Sequence, residues 1–366
     1  MIIKNLSAKN YRNIGSEKIE FSDGVNLLLG GNAQGKTNVI EAVYTFARGK
    51  SFRGAIDKKI IKFGESFFSI EIEFEDKRRR QSLSYYYSDK ERVRKRNGIK
   101  EEKASDMLGH FRAVLFCPEH LMIVKGGPSE RREFLNVAIS QNDSFYIRNY
   151  ACYNRILENR NTLIKNAQKG ISVNKKEIDV FSEQMATFAS KIYMKRTEYI
   201  KKLEKYAHGI LLDISDGKED LSLSYESDIY AQSEAEAKEE YLRILRGSID
   251  KEIANGVTLF GIHRDDIDVR VNGISLRSYG SQGQQRSAAL ALKMAEGEVS
   301  REINGEYPVF LFDDVLSELD EKRQRYIING IKDKQIIISA CDKSIFDLDG
   351  VNVIEVEGGK YVSSHR

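Results

Sequence analysis

The chain has 366 residues, enough for roughly two domains, with 41% hydrophobic and 31% charged residues, the balance expected of a soluble globular protein with a real core. A net charge of +3 does not by itself announce a nucleic-acid binder, and no apolar run approaches the length of a membrane span. Cys117, Cys152 and Cys341 are odd in number and scattered, which argues against a disulfide framework and for a reducing, cytoplasmic setting.

In chain order, residues 2–9 and 18–21 read as short strands leading into Val25–Leu29, an apolar run suited to a buried strand. Gly30, Gly31, Asn32, Ala33, Gln34, Gly35, Lys36 and Thr37 follow, with the spacing of a P-loop. Asn38 then opens a stretch that places Val39, Ile40, Val43, Tyr44 and Ala47 on one helical face. Glycines between a strand and a helix let backbone N–H groups curl round a phosphate at the positive helix end. Lys36 is the expected ligand of the β- and γ-phosphates of ATP, and the Thr37 hydroxyl the expected ligand of Mg²⁺. The turn at residues 50–54, with Arg53, is basic and expected to be exposed.

Residues 67–74 and 83–87 alternate as half-buried strands, and 92–96 with the Asn97-Gly98 turn extends an antiparallel meander. Its basic clusters at residues 77–80 and 92–96 fit a phosphate-backbone track or a solvated hairpin tip. Ala113–Phe116 is another buried strand. Helical patterning then runs from residue 129 through 166 and from 175 to 208, broken at Lys169-Gly170. These arms predict an antiparallel helical hairpin of about 30 residues each, about 45 Å long. Lys165, Lys175, Lys176, Lys195, Arg196, Lys201 and Lys202 lie along them and are read as solvated or DNA-facing. A strand at 220–225 and a helix at 233–253, capped by Ser233, carry no visible chemistry.

His263-Arg264-Asp265-Asp266 is a weak metal or acid–base constellation and reads better as a structural loop. Ser281, Gln282 and Gly283 enter a helix over 288–298, where a hydroxyl, backbone N–H groups and the helix dipole suit a phosphate. Val309–Phe312 is an apolar strand ending in two carboxylates. Asp313 has the place of the acid that holds Mg²⁺, and Asp314 that of the group orienting or deprotonating the attacking water. Leu316-Ser317-Glu318-Leu319-Asp320 follows, then a strand at 335–340 and a closing hairpin.

The order P-loop, helical insertion, Ser-Gln-Gly-Gln-Gln, apolar-Asp-Asp and Leu-Ser-Glu-Leu-Asp resembles that of ABC-type ATPases. More narrowly, the chain is similar over nearly its full length to the RecF family of SMC-like recombination and gap-repair ATPases. The matching residues also include Asn10-Tyr11-Arg12-Asn13, Ser51-Phe52-Arg53, Arg131-Arg132 and the His263–Asp266 run. The resemblance implies an α/β fold, an ABC-type head built from both chain ends (residues 1–124 and 256–366) with a mainly helical insertion at 125–255. It implies an ATP-driven homodimer in which Ser281 and Gly283 close on the γ-phosphate held by Lys36 of the other copy. Asp320 matches the acid of the loop crossing that interface, and Arg53 a basic loop close to the nucleotide. It further implies double-stranded DNA as ligand, work at single-strand gaps with RecR and RecO, and help in loading RecA.

Three departures stand out: Ala33 where glycine is usual, Asp314 where glutamate is usual, and Cys341-Asp342 where a switch histidine is expected. A shorter base without that histidine predicts slow hydrolysis used as a timer. The alternative is the nucleotide-binding subunit of a membrane transporter, which shares the P-loop and Ser-x-Gly logic but would lack the insertion. A third reading is a structural clamp without meaningful turnover.

Overall fold

The computed structural model describes residues 1–316, 319–330, 333–342 and 350–364. Ser317 and Glu318 of the Leu-Ser-Glu-Leu-Asp motif lie outside them. The chain opens with strands β1 (Ile2–Tyr11), β2 (Ile14–Glu20) and β3 (Val25–Leu29), then helix α1 (Lys36–Arg48). Strands β4 (Phe67–Glu75), β5 (Arg80–Ser88), β6 (Arg92–Arg96), β7 (Ile99–Glu101) and β8 (Ala113–Phe116) follow. Next are helices α2 (Met122–Lys125), α3 (Pro128–Ser140), α4 (Ser144–Gln168) and α5 (Lys175–Ser215). Strand β9 (Leu221–Glu226), helices α6 (Glu234–Gly247) and α7 (Ile249–Asn255), strands β10 (Asp266–Val271) and β11 (Ile274–Ser275) and helix α8 (Leu276–Tyr279) come next. The chain closes with α9 (Gln282–Asn304), β12 (Val309–Phe312), α10 (Glu321–Asn329), β13 (Ile336–Ala340), β14 (Val351–Glu357) and β15 (Lys360–Ser364).

Two compact units emerge. One comprises Met1–Leu121, Tyr206–Asp220 and Ser281–Arg366, and the other Met122–Lys205 and Leu221–Gly280. Among the described residues the first unit has two six-stranded sheets. The first runs β2-β1-β4-β5-β6-β7, antiparallel throughout. Its β4 reads Phe-Phe-Ser-Ile-Glu-Ile-Glu-Phe-Glu, and the apolar alternate faces inward, as period-two patterning requires. The second runs β15-β14-β3-β13-β12-β8; all neighbours are parallel except β15, which returns on β14 as a hairpin. Here β8, β12 and β13 are buried at every residue and nearly continuously apolar, as befits strands covered on both faces. The order puts β13 between β3 and β12, so the turns after these three strands emerge side by side at one sheet edge, where α/β sheets bind ligands.

In the second unit α4 runs antiparallel to the part of α5 that ends at Lys205. Arg160 of α4 donates to Ser182 of α5 (3.0 Å), while Arg196 of α5 donates to Tyr146 of α4 (3.1 Å). The arms are unequal, 25 and 41 residues rather than two of similar length. The first is shorter because the Asp143 carboxylate accepts from the N–H groups of Phe145 (2.8 Å) and Tyr146 (3.1 Å), starting a new helix after α3. Ser233 caps its helix as expected, but that stretch divides at Ser248 into α6 and α7.

Arg196 is not a solvated arm residue. Its guanidinium is 1% exposed and bonds the Ile262 carbonyl (2.6 Å), Asn136 (3.0 Å) and Asp265 (3.4 Å). Arg131 grips both oxygens of Asp266 (2.6 and 2.7 Å), and Arg132 donates to the Asp265 carbonyl (2.8 Å). The Arg131-Arg132 and His263–Asp266 motifs, far apart in sequence, therefore hold one another. His263 sits between the Tyr153 hydroxyl (2.7 Å) and the Thr258 carbonyl (3.3 Å), a structural place rather than a metal site.

Burial lowers the His263 pKa to about 4, whereas burial lifts Asp265 to about 6 against the pull of Arg196. A histidine held neutral stabilises the fold above its unfolded value and loses that contribution as pH falls through about 4. Asp265 acts in the opposite sense. His263→Gln is therefore expected to remove acid sensitivity on the order of 2–3 kcal/mol between about pH 6.5 and 4. Denaturant unfolding of both proteins across that range checks this; parallel curves would refute it.

Candidate nucleotide-binding site

The chain between β3 and α1 forms one wall of a cleft of about 620 Å³. Ala33, Gln34, Gly35, Lys36, Thr37 and Asn38 line it together with Arg12, Asn13, Arg53, Lys59, Ile61 and Asp314. Lys36 is buried and its ammonium donates to the Gly30 (2.6 Å) and Gly31 (3.1 Å) carbonyls, curling the loop round its own side chain. Gly35 has φ +122°, and a Cβ there would meet the Tyr361 hydroxyl at 2.8 Å and Asn13 at 2.9 Å, so only glycine fits.

The closing hairpin braces the loop from outside. Gly358 N–H donates to the Gln34 side chain (2.7 Å), Gly359 N–H to the Gln34 carbonyl (3.0 Å), and the Tyr361 hydroxyl to the Gly35 carbonyl (3.1 Å). Asn13 donates to the Gln34 carbonyl (2.9 Å) and accepts from Asn38 (2.7 Å). Ala33 has φ +62°, the left-handed region that costs a non-glycine residue roughly 1 kcal/mol or more. Ala33→Gly is expected to raise the Tm by about 2–4 °C if the strain is released fully. An unchanged or lower Tm by calorimetry would show that the loop has adapted to alanine.

A second cluster of polar side chains forms where the turns after β3, β13 and β12 meet. Thr37 donates to Asp313 (3.0 Å), and Ser339, at the end of β13, lies 2.9 Å from the same oxygen and 3.2 Å from Asp314. The single Ser339 proton serves one carboxylate at a time, while its oxygen accepts the Asp314 N–H at 2.9 Å. Asp314 has φ +49°, a strained backbone held by that bond. Asp313 is 6% exposed, and burial lifts its pKa to about 6 against the hydrogen bonds of Ser339 and Thr37. A buried carboxylate beside a hydroxyl and without a basic partner among the described residues fits a divalent cation, whose charge would offset the desolvation. Among the described residues no group of three or more His, Cys, Asp or Glu gathers as a protein-only metal cage. Magnesium completed by phosphate and water oxygens suits that composition.

Cys341, in the place considered for a switch histidine, lies 3.2 Å from the Lys36 ammonium and 3.0 Å from Asn32. Arg53 reaches the cleft: it lies 3.4 Å from Asn38 and 3.8 Å from Glu41. Glu41 is the buried anchor. Arg12 clasps it with two bonds (2.9 and 2.6 Å), and Ser51 donates to it. Arg12 and Asn13 were visible in sequence only as a matching tetrapeptide, while Glu41, Lys59, Ile61, Ser339 and Tyr361 carried no readable signal.

Ser281 is not among the cleft residues. It caps α9, accepting from Gln284 N–H (3.2 Å) while its own N–H donates to the Gln284 side chain (3.0 Å). Ser281 and Gln282 are exposed. Asp320 likewise caps α10, accepting from the Arg323 N–H at 3.0 Å.

A family profile described as RecF/RecN/SMC N terminal domain matches residues 2–358. The chain belongs to that family. It is 40% identical over 337 residues, 91% of each chain, to the DNA replication and repair protein RecF of Staphylococcus aureus strains JH9 and Newman. A structure of the recombination mediator protein RecF-ATPrS in the RecFOR pathway has a TM-score of 0.93 at 34% identity, covering 99% of this chain and 98% of that one. An Smc head domain from Pyrococcus furiosus, at TM-score 0.58 and 15% identity, shares the fold, covering 99% of this chain and 96% of that one. Close relation to RecF, an ABC-type ATPase of the SMC class, accords with a head drawing strands from both chain ends and bearing a helical insertion. Family membership implies ATPase activity and use of ATP with Mg²⁺, and the transporter alternative finds no support in these likenesses. Among the described residues no helix is long and apolar enough to cross a membrane.

Proposed function

We propose that the chain is a slow, Mg²⁺-dependent ATPase of DNA recombination and repair that dimerises around two ATP molecules and in that state binds double-stranded DNA near single-strand gaps. Lys36 and the backbone of residues 30–38 bind the phosphates, with Arg53 beside them. Thr37 and Asp313 would hold Mg²⁺, which when bound offsets the charge of the β- and γ-phosphates. Asp314 orients the attacking water and takes its proton. Ser281, Gln282 and Gly283 of one copy, with Asp320, complete the site of the other. Residues 1–124 and 256–366 act as the head and 125–255 as the insertion. The partners are RecR, RecO and the RecA pathway, in the cytoplasm.

The observation that carries this reading is the state of the signature turn, Ser281-Gln282-Gly283 at the start of α9. A Cβ on Gly283 would meet only ordinary contacts, at 3.6 Å from Arg323 and 4.0 Å from Ser281, so nothing among the described residues requires glycine there. A helix start that forgoes a better helix former while exposing Ser281 and Gln282 suits close approach by an external phosphate. Sizing the protein with and without ATP–Mg²⁺, alongside duplex-DNA binding under the same conditions, tests the proposal. A monomer that becomes a DNA-binding dimer only with ATP supports it; a monomer indifferent to ATP, without DNA binding, overturns it.

The DNA face of the antiparallel sheet is narrower than its basic count. Arg80 pairs with Glu73 (2.5 Å), Arg92 with Asp57 (2.5 Å) and Arg96 with Glu101 (2.8 Å), while Arg94 lies 4.3 Å over the Tyr85 ring. Arg78 and Arg79 are exposed, and neither guanidinium has an acidic partner among the described residues. Reversing both to glutamate is expected to weaken duplex binding at least about tenfold and reduce the salt slope by about 2. Titrations at several salt concentrations check this, and an unchanged slope would remove the pair from the interface.

A further inference from the structure

We propose that Arg323 is the positioning residue that ties the two elements facing the second copy, the signature turn and the Asp320 turn, into one block. This rests on the dimer reading above. Nothing in sequence marks Arg323, the third residue after Asp320 in a charged run. In the fold its guanidinium reaches both elements. It pairs with the Asp320 carboxylate, whose other oxygen accepts the Arg323 backbone N–H at 3.0 Å. Nη2 donates to the Gly283 carbonyl (3.1 Å) and to Ser287 Oγ (2.6 Å), and Nε donates to the same hydroxyl (2.9 Å). Ser287 is 1% exposed, and the Arg323 side chain 17%.

A cation against the first turn of a helix is electrostatically unfavourable, because that end already carries partial positive charge. Here the Asp320 carboxylate offsets it, and the serine hydroxyl and Gly283 carbonyl supply well-directed acceptors. Two consequences follow. The guanidinium adds positive potential at the helix end proposed to meet the γ-phosphate. It also fixes Asp320 relative to Ser281, so that docking either on the partner presents the other in register. The planar fork directs its N–H groups to a carboxylate, a carbonyl and, from two nitrogens, one hydroxyl; the three donors of a lysine ammonium radiate from a single nitrogen and do not match that geometry.

The test uses the full-length protein in an Asp314→Asn background, so that turnover does not blur dimerisation. Adding Arg323→Ala is expected to raise the protein concentration needed for ATP-driven dimerisation at least about tenfold, the loss of charge-assisted hydrogen bonds. Binding of a fluorescent ATP analogue to the monomer changes less than about twofold, and Arg323→Lys recovers only part of the dimerisation. Ser287→Ala keeps both charges and gives a smaller shift in the same direction, which serves if the arginine variant does not fold. Dimerisation equal to the parent overturns the proposal, as does loss of monomer nucleotide binding in step with dimerisation, which would mark a general structural role. If the Asp314→Asn parent itself stays monomeric with ATP, the dimer reading fails and this inference with it; failure confined to the Arg323 and Ser287 variants rejects this inference alone.

Discussion

Asp313→Ala is expected to lower Mg²⁺-dependent ATP hydrolysis by at least ~10²-fold, the scale seen when one oriented electrostatic group is removed from a transition state. The physical reason is that Asp313 is the buried carboxylate at the place where Thr37 and Ser339 converge. Without it, the magnesium expected beside Thr37 loses the carboxylate proposed to hold it. Stability is expected to move much less. Two hydroxyls lose an acceptor, which costs about 1–3 kcal/mol, but a carboxylate that burial pushes up to about 6 is also removed, and the two effects oppose. The measurement is steady-state hydrolysis against magnesium concentration, with metal-free ATP binding as control. Retained magnesium-dependent turnover would exclude Asp313 from the metal site.

Glu41→Ala is expected to produce the largest loss of stability of any single change near the cleft, about 3 kcal/mol or more. The Glu41 side chain is 0% exposed and Arg12 19%, so deletion strands a mostly desolvated guanidinium, and the Ser51 hydroxyl loses its acceptor as well. Residual exposure of Arg12 keeps the expected cost toward the lower end of that for a broken buried pair. Because Arg12 lines the cleft, ATP affinity is expected to fall in parallel. Thermal unfolding with and without ATP checks both parts. A Tm within about 2 °C of the parent would show that Arg12 finds another partner or water. Glu41→Gln keeps the shape but not the charge and is expected to fall between the two.

The reading of the cleft depended unevenly on sequence and on fold. The P-loop was legible because its requirements are local: glycines where the chain must turn, a lysine and a hydroxyl at fixed offsets, an apolar strand before and a helical period after. Asp313 and Asp314 at the end of Val309–Phe312 were legible only in combination, since two adjacent acids after a buried strand suit a plain turn until a P-loop stands upstream. The Arg131-Arg132 and His263–Asp266 motifs were legible as matches but not in meaning, because a sequence does not say that two distant motifs bind each other. The arm lysines and arginines looked alike in one dimension; only packing separated Arg196, fully bonded inside, from lysines on the same helix.

By itself the sequence located the strand–loop–helix around Gly30 to Thr37, the two adjacent acids after Val309–Phe312 and the long helical stretches, since each follows from periodicity or spacing within a few residues of the chain; the α/β class and the head built from both chain ends were implied by the family resemblance of the motifs taken together. Tertiary structure alone decided that β13 lies between β3 and β12. That strand order brings Ser339 between the two carboxylates and Cys341 to the P-loop lysine. It alone decided that Glu41 is a buried anchor, that the closing hairpin braces Gln34 and Gly35, and that Arg323 joins Asp320 to the signature turn. The physical reason is common to all of these. Strand order and long-range side-chain pairing are set by which surfaces bury one another, and that is a property of the packed chain rather than of any stretch of it.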